Sequence, residues 1–105
     1  MLFGIDFDGT FAADPALFHS FLDLLTARGH KAVIVTGRSK PTGRYGLKEF
    51  EVEVVTKGRL PIVYAGMKFK RLAAEEAGYK VDIWMDDNPE FIDKQTPEKI
   101  QYKTE

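Results

Sequence analysis

The sequence predicts an α/β fold, a mostly parallel sheet flanked by helices. Short apolar runs of strand length alternate with stretches whose apolar residues recur at helical spacing, as in successive βαβ units. Glycine and proline mark many of the joints between them. Three of the apolar runs end on acids or a threonine, so the polar chemistry is gathered at strand ends. At 105 residues the chain is the size of one domain.

The first strand is expected over Leu2–Phe7, on the run Leu2-Phe3-Gly4-Ile5. Asp14-Pro15 marks a helix start, Asp14 as N-cap and Pro15 in the first helical position. Leu17, Phe18, Phe21, Leu22 and Leu25 then form an apolar stripe that would lie on the sheet. Gly29 is the expected left-handed C-cap. Ala32–Val35 is the second strand, closing on Thr36-Gly37-Arg38. Ser39–Gly46 reads as a loop with a short helix near Pro41–Leu47, and Val52–Thr56, alternating charge and valine, as an outer or edge strand. Leu60–Ala65 is the next strand, with Pro61 weakening its start. Met67–Ala77 is helical and capped by Gly78. Val81–Met85 is the last strand, ending at Asp86-Asp87, and Asn88-Pro89 opens another helix. The expected core is 1–93, and 94–105 is a polar tail or a short edge element.

Composition narrows the function classes. The 44% hydrophobic and 30% charged shares are those of an ordinary globular chain. The net charge of −1 lacks the basic footprint of a dedicated nucleic-acid binder. Basic residues do gather loosely between Arg38 and Arg71, which suits either an anionic substrate or a solvated surface. Without cysteine there is no disulfide, thiolate zinc site or cysteine nucleophile. No apolar run approaches the ~20 residues of a bilayer span, so no membrane partner is expected. The start shows no secretory pattern, which makes the cytoplasm the default location.

Asp6-Phe7-Asp8-Gly9-Thr10 is the most informative stretch. Two carboxylates so close repel unless a cation lies between them or one is protonated. Together with Thr36 and Asp86/Asp87 they stand at the ends of apolar strands, where open parallel sheets bind ligands. The chemistry is coherent. An ionised Asp6 can attack phosphorus, and Asp8 can protonate the leaving oxygen and then deprotonate water. Mg2+ prefers oxygen ligands, which Asp6, the Asp8 carbonyl and the Asp86-Asp87 pair would supply. Thr36 can bond a phosphoryl oxygen, and Arg38 can bind phosphate or face solvent. A lysine would neutralise the intermediate. Gly9 and Gly37 would let backbone N–H groups turn toward phosphate, with Thr10 beside them.

This set resembles the four motifs of the haloacid dehalogenase superfamily, over Leu2 to about Ile92. The resemblance implies a single three-layer Rossmann-like domain. It implies a Mg2+-dependent phosphohydrolase working through an aspartyl-phosphate, with Asp6 as nucleophile and Asp8 as acid/base. Asp87 is then the direct metal ligand with Asp86 next to it. Asp86-Asp87-Asn88-Pro89-Glu90 resembles deoxyribonucleotidases and the phosphatase domains of polynucleotide end-processing enzymes. Lys68 and Lys70 both qualify as the third-motif lysine. The family's spacing favours Lys68 and leaves Lys70 to the substrate, while Lys80 would point away. Only Phe11–Asp14 separates Thr10 from the first helix, so no cap domain fits there and a capless member is expected. Its substrate would be phosphorylated, small or macromolecular, with nucleic acid only as a substrate.

Blander readings stand beside these. Asp8-Gly9 is a common turn signal, Thr36-Gly37 a strand end, and Asp87-Asn88-Pro89 a helix cap. His19 and His30 are expected to be structural. The alternative function is a degenerate module that binds metal or phosphate without turnover. A toprim-type nucleic-acid enzyme would need a glutamate on an earlier strand, and here the Asp-x-Asp pair is on the first.

Overall fold

Residues 1–93 are described by a computed structural model. The tail or edge element expected over 94–105 lies outside the described residues. The elements run β1 (Leu2–Ile5), α1 (Pro15–Ala27), β2 (Lys31–Thr36), α2 (Glu51–Thr56), β3 (Ile62–Tyr64), α3 (Lys70–Glu76) and β4 (Ile83–Met85). Short 3-10 turns cover Phe11–Ala13, Leu47–Phe50 and Pro89–Phe91. The four strands form one sheet in the order β3-β2-β1-β4, every neighbouring pair parallel. This is the expected α/β class, and no inserted cap is present among the described residues.

The sheet is covered on both faces, which is why its strands are apolar throughout rather than alternating. Ile5 and Ile34 point to one face, into a cluster with Phe18, Leu22 and Leu25 of α1 and Val52 of α2. Val33, Val35 and Val63 point to the other, against Ala73 and Ala74 of α3. The chain therefore crosses on one face from β1 to β3 and on the other from β3 to β4. Strand order reverses between β1 and β4, and the crevice that opens there lies beyond the strands' C-terminal ends. Gly4 fits this seam, because a Cβ there would come 2.9 Å from Val81 and 3.1 Å from the Trp84 ring.

Most expected boundaries hold. Asp14 accepts from the Leu17 N–H at 3.2 Å, and Pro15 opens α1. Gly29 and Gly78 follow α1 and α3 in the left-handed region. Leu17, placed on the buried stripe by its spacing, instead faces solvent. β1, β3 and β4 are shorter than expected and β2 longer, yet Leu60 and Val81 are buried beyond the ends of β3 and β4. The short helix near Pro41–Leu47 is replaced by the turn Leu47–Phe50, which runs directly into α2.

Val52–Thr56 is helical, not an edge strand. Glu-Val-Glu-Val-Val-Thr satisfies period 2, but Val52, Val55 and Thr56 also satisfy helical spacing. Tertiary packing chooses the second pattern. Val52 and Thr56 are fully buried one turn apart, and the Thr56 hydroxyl donates to the Val52 carbonyl at 2.7 Å. β-branched propensity is weak enough to be overridden by such burial. The edge strands of the described sheet are β3 and β4.

Candidate active site

The crevice beyond β1 and β4 encloses about 810 Å3 and is lined by Asp6, Asp8, Lys70, Asp86 and Asp87. β1 delivers Asp6 directly. Its backbone N–H donates to the Met85 carbonyl at 2.9 Å, so the β1–β4 ladder continues into the site. Asp6 is buried, and Lys70 Nζ stands 2.6 Å from its Oδ1 and 2.7 Å from Asp86 Oδ2. Thr10 donates to Asp6 Oδ2 at 3.1 Å and reaches Asp87 Oδ1 at 3.5 Å. Carboxylate oxygens of Asp6, Asp86 and Asp87 lie within 4.8 Å of one another.

The electrostatics follow from this packing. Burial pushes the Asp6 carboxyl up to about 6; Lys70 opposes the rise and Asp86 and Asp87 add to it. Burial pulls the Lys70 ammonium down, but its bonds to Asp6 and Asp86 outweigh that and leave it above its ordinary value. Four carboxylates thus share the crevice with the cations of Lys70 and Arg38, and Lys68 at its edge is already paired with Glu76. The excess negative charge and the all-oxygen donor set of Asp6, Asp86 and Asp87 fit a hard divalent cation.

Asp8 lies apart from that trio. Arg38 grips it with two bonds, Nε to Oδ2 at 2.9 Å and Nη2 to Oδ1 at 2.7 Å. The guanidinium holds the Asp8 carboxyl below its ordinary range. Arg38 is itself held by Glu51 at 2.8 Å and lies over the Phe7 ring, 5.1 Å from its centroid. The basic residue after the second strand therefore positions the second carboxylate in this structure.

Two expected residues sit elsewhere. The Lys68 side chain is 58% exposed and bonded to Glu76 at 2.6 Å. The preference for Lys68 over Lys70 is reversed by where α3 begins. Phe69 is extended, Lys70 is the first helical residue, and only its side chain turns in to the carboxylates. Thr36 is fully buried at the end of β2, and its hydroxyl accepts from the Arg38 N–H at 3.2 Å. It braces the turn carrying Arg38.

The glycines differ as well. Gly9 has φ +79°, and a Cβ there would overlap the Asp87 carboxylate, 2.8 Å from its Cγ. Gly9 is therefore required by both conformation and space. Gly37 has no positive φ and open space where a side chain would stand, so the expected need for glycine there is absent. Asn88 donates its backbone N–H to Asp86 Oδ1 at 2.9 Å, fixing that carboxylate.

Some members of the site were not legible as such. Glu51 stands one residue before the segment read as a strand and thirteen after Arg38, so nothing in the sequence links the two. Met67, Phe69 and Phe91 line the same crevice. Two of them sat inside an expected helix, where apolar residues are ordinarily core.

Among the described residues no helix is long and apolar enough to cross a membrane. No protein-family model, curated protein or solved structure matches this chain.

Proposed function

We propose that this chain is a phosphohydrolase of the haloacid dehalogenase type that cleaves phosphate monoesters through an aspartyl-phosphate on Asp6, with Mg2+ as cofactor. One observation carries the reading. At the switch point of a parallel sheet, a buried carboxylate is bridged by a buried lysine to a second carboxylate, with a third beside them. A merely structural ion pair has no need of the extra acid. The Asp6–Lys70–Asp86 bridge is buried and costly as structure alone, and the exposed Asp87 beside it completes an oxygen set suited to a cation.

In the proposed reaction an Asp6 oxygen attacks phosphorus. The bond to the leaving oxygen breaks, and that oxygen takes a proton from Asp8. Water then attacks the phosphorus of the acyl-phosphate, Asp8 takes the proton back, and the Asp6 carboxylate is released with inorganic phosphate. Lys70 neutralises charge on Asp6 and on the transferring group throughout. Asp6, Asp86 and Asp87 would hold Mg2+, which when bound offsets the repulsion between carboxylate and phosphate. The Arg38 clamp suits Asp8 as the base of the second step. For the first step Asp8 must gain a proton, so a phosphate that draws Arg38 to itself would loosen the clamp. The substrate is a phosphorylated small molecule or macromolecule, with nucleic acid only as a substrate, and no membrane partner is invoked.

The same clamp favours a second reading, a module that binds metal or phosphate without turnover. If Arg38 never releases Asp8, no acid is available. The test is hydrolysis of an aryl phosphate with Mg2+, with EDTA, and with Asp6→Asn. Metal-dependent turnover lost in the variant supports the enzyme. Phosphate binding with no turnover in any arm supports the module.

A further inference from the structure

The crevice has a charged floor and an apolar rim. Met67, Phe69 and Phe91 line it and are 103%, 43% and 55% exposed. They come from two junctions. Met67 and Phe69 lie between β3 and α3, directly before Lys70, and Phe91 lies on the turn after Asp86 and Asp87. Two aromatic side chains left in solvent beside a cluster of carboxylates are unusual, since such surface is ordinarily buried in a core or kept for a ligand. The rim is also pinned. Arg71 of α3 bonds Asp93 at 2.7 Å, donates its N–H to the Ile92 carbonyl at 2.9 Å and lies over Trp84. The segment carrying Phe91 is therefore fastened to the helix that begins with Lys70, so the apolar subsite is preformed rather than assembled on binding.

Resting on the phosphohydrolase reading, we infer that this rim is the leaving-group subsite and that the substrates are phosphate monoesters bearing a flat apolar ring near the phosphate, in preference to sugar or polyol phosphates. A phosphoryl group held at Asp6 and Lys70 shares one crevice with Met67, Phe69 and Phe91, which supply apolar surface to the group it carries. The volume of about 810 Å3 accommodates a phosphate together with one or two rings. A ring covering these side chains removes apolar area from water on both partners. A polyol there would trade its water contacts for apolar neighbours without hydrogen bonds.

The test uses two non-hydrolysable ligands that differ only in the ring, 3-phenylpropylphosphonate and propylphosphonate. Calorimetry with the full chain in Mg2+ should show the phenyl compound binding about tenfold tighter, the scale of a partly buried apolar group. The preference should collapse toward one in Phe69→Ala/Phe91→Ala. Fluorescence of Trp84 and thermal melts would confirm that this variant is folded, and Met67→Ala, at a fully exposed side chain, gives a second variant that should lower the ratio. Equal affinities in the unaltered chain, or no binding of either phosphonate, would overturn the subsite. Hydrolysis of phenyl phosphate is measured in parallel. Turnover without ring preference sinks the subsite and leaves the enzyme. Ring preference without turnover sinks the enzyme and its leaving-group role, and leaves the rim as an apolar binding site beside the phosphate.

Discussion

Lys70 Nζ stands 2.6 Å from Asp6 Oδ1, with both side chains 6% exposed. The same ammonium reaches Asp86, so one cation joins the ends of β1 and β4 at the seam where strand order reverses. Removing it would leave two facing carboxylates with no countercharge in a buried site. Lys70→Ala is expected to cost about 3 kcal/mol of stability in EDTA, as breaking a buried ion pair does. Mg2+ should recover part of that loss. The rate should fall at least about a hundredfold, the scale of losing one electrostatic stabiliser of a transition state. Lys68→Ala removes an exposed pair worth at most about 1 kcal/mol and should stay within about fivefold. Thermal melts and steady-state rates for the two variants check this, and the reverse order would move the essential lysine to Lys68.

Gly9→Ala is expected to lose Mg2+ affinity and about 1–3 kcal/mol of stability. The φ of +79° disfavours a side chain, and the new methyl would push Asp87 out of the oxygen trio. Gly37→Ala, where the structure leaves open space, should melt within about 0.5 kcal/mol of the unaltered chain. Mg2+ titrations and melts of the two alanine variants provide the comparison.

Arg38 holds both Asp8 oxygens in a fork and is tied back to Glu51. Lysine keeps the charge but cannot span two oxygens. Arg38→Lys is expected to lower kcat/KM about tenfold, and Arg38→Ala about a hundredfold, from the bidentate bonds to a charged group. Full activity in Arg38→Lys would show that the planar fork does nothing beyond the charge, and equal losses in the two variants would show that the charge does nothing without the fork. Glu51→Gln should reproduce a smaller part of the effect, because it frees Arg38 without removing it.

Glu49 organises the loop after Arg38. It accepts from the Thr42 N–H at 2.8 Å and the Tyr45 N–H at 2.9 Å. These backbone bonds hold its carboxyl below the ordinary 4.5. A depressed carboxylate contributes order that is present above 4.5 and lost as pH falls through the lowered value. The protection of the Thr42 and Tyr45 amides, relative to their intrinsic exchange rates, should therefore be constant from neutral pH down to about 4.5 and fall below it. Glu49→Gln should show the reduced protection at every pH. A protection profile that is the same in both proteins would remove Glu49 from the loop's support.

The parts of this molecule legible in the sequence are those where local and global signals agree. Asp14-Pro15 caps α1 and the stripe through Phe18, Leu22 and Leu25 faces the sheet, so the helix could be read directly. Asp6, Asp86 and Asp87 converge because acids at the ends of parallel strands must. Val52–Thr56 was illegible because its valines satisfy two periods at once, and only burial against α1 and the sheet chooses between them. The lysine was illegible for a subtler reason. Lys68 and Lys70 differ by two positions, and where the chain turns into α3 decides which of them faces inward. Chain spacing cannot resolve a helix start to that accuracy.

The most direct test of the central claim is acid-quenched mass spectrometry of the protein taken during turnover of an aryl phosphate with Mg2+. The account predicts a phosphoryl mass gain on the peptide carrying Asp6, absent in Asp6→Asn. Phosphate release with no phosphoryl-protein, or with the group on another residue, would contradict it.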